Sequence, residues 1–203
     1  MGRLSQITTA SLNDYLQKKP LRFDRLEFDR GLGIIEDAFF LTLKTDDNEL
    51  EIVIGINTNL RCLRRGSVIL RYMDLFLRHD GKKMTKREYR SQIDIEKSLL
   101  HDELNSINSI LEGKYATKIC FSSDGDFRIS FGRYGSINAI DDLDIRQNKR
   151  RLYEIAFVGA AGPSGIIILE KGKQIIAIEA GKCELFPRKD DSGLRFLLSE
   201  VEK

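Results

Sequence analysis

The sequence predicts an α+β fold, a largely antiparallel sheet built from hairpins with about three helices. Two observations carry this expectation. The first is a turn-and-strand pattern that occurs twice, 77 positions apart. One copy runs from Thr45 through Asp46-Asp47-Asn48 to Gly55, the other from Ser122 through Ser123-Asp124-Gly125 to Gly132. Each is a tight polar turn followed by a strand with one apolar face, Leu50, Ile52 and Ile54 in the first and Phe127, Ile129 and Phe131 in the second. Strict alternation fits a sheet with one wet face. The second observation is a helical period, with Leu100, Leu104, Ile107 and Leu111 recurring at four- and three-residue steps.

Along the chain, Ser11 with Asp14 reads as a helix start, Leu12, Tyr15 and Leu16 give that helix a face, and Pro20 ends it. Leu21 and Phe23 then alternate, but Leu26 and Phe28 fall on the opposite parity. A bulge near Asp24-Arg25 reconciles the two. Phe39, Leu41 and Leu43 lead into the Asp46-Asp47-Asn48 turn, and the strand from Leu50 to Ile56 returns. Residues Arg61 to Arg65 read as a basic, irregular connection. Val68 to Leu77 reads as a strand, although Met73, Phe76 and Leu77 also fit a helix. Asp80-Gly81 is a two-residue hairpin signal, so strand, turn, strand is expected through Arg90.

The clearest helix spans about Asp94 to Glu112, with Asp94 as its cap and Gly113 as its left-handed stop. The second hairpin follows, from Ile119 to Phe131. Asp141 to Arg151 is a charged loop or short helix, and Tyr153 to Val158 is a strand. Gly159 to Gly165 is a loop, and Ile166–Leu169 and Ile175–Ile178 are strands about a Lys171-Gly172-Lys173 turn. Leu194, Leu197, Leu198 and Val201 make a short amphipathic helix.

The repeat admits an internal duplication with halves of about 20–95 and 96–180, in which hairpins 38–55 and 117–132 would be equivalent. The plainer account is that two amphipathic hairpins look alike because the same physics shapes both. Identity holds only at Asp47/Asp124, Ile52/Ile129 and Gly55/Gly132. No linker rich in Pro, Ser or Gly divides the chain, so residues 1–203 read as a single domain.

Composition bounds the function. Lys and Arg number 33 against 31 Asp and Glu, a net charge of +2, which argues against a dedicated nucleic-acid binder. The three cysteines, Cys62, Cys120 and Cys183, are scattered, so neither a zinc site nor a disulfide framework is expected. A reduced, cytoplasmic setting fits, with no apolar signal core at the N-terminus and no membrane-length apolar run.

No catalytic constellation assembles in the sequence. His79 sits beside the Asp80-Gly81 turn and His101 on the polar side of the helix, next to Asp102, and both read as surface histidines. Gly159-x-x-Gly162-x-x-Gly165 follows a strand, but Pro163 and the run Ile166-Ile167-Ile168 predict another strand, not the helix that a phosphate loop opens. A metal-dependent nuclease needs an acid and an E-x-K element on neighbouring strands. Glu112-Gly113-Lys114 has the letters at a helix end, and Glu170-Lys171-Gly172-Lys173 sits at a turn. No cofactor or metal is expected. The basic clusters are Arg61, Arg64 and Arg65, then Lys82 to Arg90, then Lys149 to Arg151. Solvated faces are the default reading of all three. The densest acids are Asp141, Asp142 and Asp144, with Asp124 and Asp126 in the nearby turn. Their spacing fails a calcium loop, and they are the candidate partner-binding patch.

From Leu75 to Ile140 the chain resembles small bacterial proteins of the polymorphic-toxin immunity type. The parts that carry this are Asp80-Gly81-Lys82, the helix Leu99–Leu111, Gly113-Lys114 to Ile119, and Gly125-Asp126-Phe127-Arg128-Ile129-Ser130-Phe131-Gly132. Phe127 stands where the pattern has leucine, Phe76 stands for the tryptophan often found before the turn, and the chain has no Trp. The resemblance implies a non-enzymatic, cytoplasmic protein that binds and blocks a toxin domain. The alternative is a metal-dependent nuclease or other nucleic-acid-processing protein.

Overall fold

The computed structural model describes residues 9–29, 38–48, 50–56, 59–85, 98–122, 126–140, 151–159, 162–170 and 176–178. It is α+β with mostly antiparallel strands, arranged in two sheets. The N-terminal helix α1 spans Thr9–Lys18. Strands β1 (Leu21–Asp29), β2 (Ala38–Thr45) and β3 (Leu50–Ile56) form a meander. Strands β4 (Asn59–Arg64) and β5 (Ser67–Arg71) form a hairpin, followed by a 3-10 turn at Tyr72–Phe76. Helix α2 covers Leu99–Leu111. A second meander follows, β6 (Lys118–Phe121), β7 (Phe127–Ser130) and β8 (Ser136–Ile140). Strands β9 (Arg151–Gly159), β10 (Gly162–Glu170) and β11 (Ile176–Ile178) complete the described chain.

The six-stranded sheet has the order β1-β2-β3-β9-β10-β11, and the five-stranded sheet β5-β4-β8-β7-β6. Among the described residues the order helix, three-strand meander, hairpin occurs twice, with β11 added after the second hairpin; β9, β10 and β11 extend the first meander, and β4 and β5 extend the second. The hairpins at 38–55 and 117–132 are not equivalent in this frame. β2 and β3 are interior to the larger sheet, whereas β6 is the edge of the smaller one. By position, β2–β3 corresponds to β7–β8. The alternation that aligned β3 with β7 is common to any strand with one buried face.

Both described α-helices seal sheet edges. Asn108 of α2 donates from Nδ2 to the Leu26 carbonyl at 3.0 Å and accepts the Leu26 N–H at 2.8 Å. Asn13 of α1 makes the same pair with the backbone of Phe121, at 2.8 and 2.7 Å. An edge strand otherwise presents unpaired N–H and C=O groups to any passing strand. Each asparagine satisfies one donor and one acceptor on the outermost strand of a meander. Asn13 and Asn108 lie 95 residues apart, and so do Leu26 and Phe121. The buried pairs Leu12/Ile107 and Leu16/Leu111 share that offset.

One core joins the sheets. Tyr153 of β9 is fully buried, its ring 5.2 Å from Phe121 and 5.9 Å from Phe127 on the other sheet. Phe131 meets Phe23 edge-on at 5.6 Å. The expected core residues Ile52, Ile54, Ile129, Phe131, Leu100, Leu104 and Ile107 are all buried. The bulge in β1 falls between Phe23 and Arg25, as the parity break requires. Gly113, at φ +67°, ends α2 in the left-handed conformation expected of it.

Several expectations need correction. Residues 61–65 are not an irregular connection, because Asn59–Arg64 is β4, paired with both β5 and β8. The strand expected over 68–77 stops at Arg71, where the Asp74 carboxylate accepts the Arg71 N–H at 2.8 Å and starts the 3-10 turn. The helical spacing of Met73, Phe76 and Leu77 was the better signal there. Residues 162–165 are part of β10 rather than a loop, with a register shift between Pro163 and Gly165 that accommodates the proline. Across the expected Asp80-Gly81 turn the described residues form an isolated bridge, Leu77 with Lys83, rather than strands. Residues 86–90, the Asp94 cap, the 141–150 segment and the helix over 194–201 lie outside the described residues.

Candidate interaction surface

Pairing decides which side chains share the solvent face of each sheet. On the six-stranded sheet the central outward charges of β1, β2 and β3 are matched, while Asp29 at the end of β1 has no ion pair among the described residues. Lys44 Nζ lies 3.0 Å from Asp24 Oδ1 and 3.6 Å from Glu51 Oε2. Arg25 lies 2.8 Å from Asp24 and 2.9 Å from Glu27, and the Glu27 hydrogen bond holds its guanidinium above the usual range. Three acids and two bases form one ladder. At the 45–48 turn, Tyr115 donates to Asp46 at 2.6 Å, and Arg22 donates to Asn48 at 2.6 Å. The hydrogen bond to Asp46 raises the Tyr115 hydroxyl pKa.

The five-stranded sheet differs. Leu60, Cys62, Leu70, Ile129, Ile137 and Ala139 point inward and are buried. Their neighbours point out, and the pairings Arg71↔Arg61, Arg61↔Asn138, Asn138↔Arg128 and Arg128↔Cys120 set them in one row across all five strands. Arg61, Arg71, Arg128 and, one row over, Lys118 are exposed. Arg61 and Arg71 stand directly opposite one another, a like-charge cross-strand pair that costs stability. Among the described residues none of these four bases has an ion-pair partner.

Two acids approach Arg71 without neutralising it fully. Asp74 is buried at the start of the 3-10 turn, and Glu103 of α2 shares a carboxyl–carboxyl hydrogen bond with it. Burial, that hydrogen bond and the Asp74 charge push the Glu103 pKa up to about 8, which favours its protonated form. Its Oε2 atom is buried without a hydrogen-bond partner.

Of the acids predicted as the binding patch, only Asp126 falls within the described residues. Its N–H donates to Ser122 Oγ at 3.0 Å, and its carbonyl accepts the Ser122 N–H at 2.8 Å, which closes the turn before β7. It is exposed and lies two residues before Arg128, on the same face of the strand. Register brings it to the end of β8 where Ile140 precedes Asp141, since Phe127 pairs with Ala139. Asp124, Asp141, Asp142 and Asp144 lie outside the described residues.

Other candidates resolve to ordinary structure. His79 Nδ1 contacts Asp102 Oδ2 at 2.6 Å, with both side chains about half exposed, and Asn105 lies 3.0 Å from His101 Nε2. Among the described residues no three His, Cys, Asp or Glu side chains group to hold a metal ion. Cys62 is buried and its thiol is pushed far up by desolvation, so it is not a nucleophile. The space beside it, lined by Ile107, Tyr134 and Gly135 among others, has a volume of about 10 Å³, room for at most one water. The glycine stretch enters a strand, not a helix. Among the described residues no helix is long and apolar enough to cross a membrane. Lys82 is matched locally, 3.1 Å from Asp80.

The arginine row was hidden in the sequence because its members come from three separate segments. One signal was available in Leu60-Arg61-Cys62, which alternates ahead of the Arg65-Gly66 turn and reads as a strand entering a hairpin. Comparison with family models, curated proteins and solved structures finds no match.

Proposed function

We propose that this chain is a non-enzymatic binding protein of the immunity type, which neutralises a toxin domain by docking it on the solvent face of the five-stranded sheet. The observation that supports this reading is the uncompensated row of Arg71, Arg61 and Arg128. A directly opposed arginine pair weakens the free protein and is rational if a partner neutralises it. The acidic set of Asp124, Asp126, Asp141, Asp142 and Asp144 enters this proposal as a border, since Asp126 stands beside Arg128 at one end of the row. Cytoplasmic location belongs to the same proposal. So does an internal duplication, now at an offset of 95 rather than 77, supported by the two edge-sealing asparagines and the repeated element order.

Co-expression with the product of the adjacent gene is the direct test. Growth restored by the chain, with a stoichiometric complex on gel filtration, supports the reading. Hydrolysis of nucleic acid by the purified chain with Mg²⁺ or Mn²⁺ would instead support the alternative, a metal-dependent nuclease.

A further inference from the structure

We infer that Arg61 and Arg71 form a receptor for paired carboxylates on an acidic protein surface. This rests on the binding-protein reading above and adds the chemistry of the partner. The two arginines occupy opposed positions on antiparallel strands, where Cα atoms are about 4.5–5.5 Å apart. Their guanidinium forks can each take a carboxylate through two parallel hydrogen bonds. The acids nearest to Arg71 leave it available. Asp74 is engaged with the backbone of the 3-10 turn, and burial beside Asp74 raises the Glu103 pKa, which favours its neutral form.

A nucleic-acid backbone would also meet such a charge row, but the surroundings favour a protein. The outward residues of the row and its neighbours include Asn138, Ser130, Ser136, Lys118 and Cys120, and among the described residues the row itself holds no aromatic side chain on which a base could stack. Of the three large apolar side chains that the described residues expose, Val68 and Met73 lie on either side of Arg71 in sequence. Arginine beside methionine and aliphatic side chains is the composition of a protein–protein interface. The charge of +2 on the whole chain supplies no broad field for a polyanion.

The test uses the full chain and three labelled probes, a glutamate decamer, a single-stranded RNA dodecamer and a DNA duplex of matched charge. Binding is read by anisotropy at low and moderate salt, and the site by amide NMR shifts. The inference expects the acidic peptide to bind and to shift Arg61, Val68 and Arg71. It expects R61E/R71E to weaken that binding at least tenfold, with K44E on the other sheet unchanged. R61Q/R71Q serves as a milder pair, with circular dichroism confirming its fold. Tighter binding of RNA or duplex at this row would overturn the inference. So would acidic-peptide shifts elsewhere, no peptide binding, or unchanged binding by both double variants. In the growth assay, rescue by the wild-type chain and equally by R61E/R71E would sink this inference alone. Failure of the wild-type chain to rescue would sink the proposed function itself.

Discussion

The two sheets solve the same edge problem in the same way, yet they treat their solvent faces in opposite ways. Each has its first meander strand sealed by an asparagine from a helix of the other half, Asn108 on β1 and Asn13 on β6. On the outer face of β1–β3, Asp24, Glu27 and Glu51 neutralise Arg25 and Lys44. On the outer face of β4–β8, Arg61 and Arg71 face each other, and Arg128 meets only the neutral Asn138 and Cys120 in the row. A shared frame with unequal surfaces separates what the fold needs from what a partner needs. The ladder is stabilising decoration, whereas the opposed arginines destabilise the free protein and call for a functional explanation.

The frame itself gives the largest expected effect. Phe131 is buried against Phe23 of the other sheet, so Phe131→Ala removes a ring from the interior that joins the two sheets. Urea melts should show a loss of about 3–5 kcal/mol. A loss below about 1 kcal/mol would mean that the two faces do not share one cooperative core.

The edge seals come next. Asn13→Ala and Asn108→Ala each strand one N–H and one C=O on an edge strand, and each should cost about 1–3 kcal/mol. Near-equal costs sharpen the idea of equivalent halves. A neutral Asn13→Ala beside a costly Asn108→Ala would break it, and amide exchange at Phe121 and Leu26 would show which edge opens.

The third prediction concerns the proton that keeps Arg71 available. The Glu103 pKa is raised from the ordinary 4.5 to about 8 by burial and by its Asp74 neighbour. The folded state therefore binds more protons than the unfolded chain between those values. Its contribution is full below the ordinary value and is lost as pH rises toward the folded one. The wild-type stability curve should fall across that window, and Glu103→Gln should flatten it, as denaturant melts at stepped pH would show. A slope unchanged in Glu103→Gln would mean that Glu103 is ionised at neutral pH, next to Arg71. The contrast between the two faces would then shrink.

Much of the frame was legible because it follows from local pattern. Alternation gave the inward faces of β2, β3 and β7, parity gave the β1 bulge, and the period of Leu100, Leu104, Ile107 and Leu111 gave α2. Pairing between distant strands was not legible, and the candidate surface depends on it. Arg61 was placed in a loop because Arg64-Arg65-Gly66 reads as a turn and masks the short strand ahead of it. Arg71 was placed mid-strand, with nothing local to set it opposite Arg61. Asn13 and Asn108 lie on helix faces and pair with residues 108 and 82 positions away, beyond any motif's reach. The proposed repeat at an offset of 95 is fainter in letters than the pattern at 77, since Ser11-Leu12-Asn13 and Ser106-Ile107-Asn108 are short and alternating strands are everywhere.

The smallest effect is the most direct test of the contrast, because it predicts opposite signs. Arg61→Thr removes one member of the opposed pair and inserts a good strand former, so stability should rise by about 0.2–1 kcal/mol at low salt. Lys44→Thr makes the same kind of exchange on the other sheet but cuts the contacts to Asp24 and Glu51, so stability should fall by up to about 1 kcal/mol. Thr42, two residues before Lys44 on the same parity of β2, is buried, so β2 already accepts threonine in this row. Added salt should shrink both changes toward zero, because screening weakens repulsion and attraction alike. Melts of the two variants at low salt and at about 1 M salt would decide it, that salt being about 3 Å in screening length. Opposite signs that converge with salt fit an arginine row held against a cost in the free protein. Two losses of similar size would place Arg61 in an ordinary solvated face and remove the physical case for a partner there.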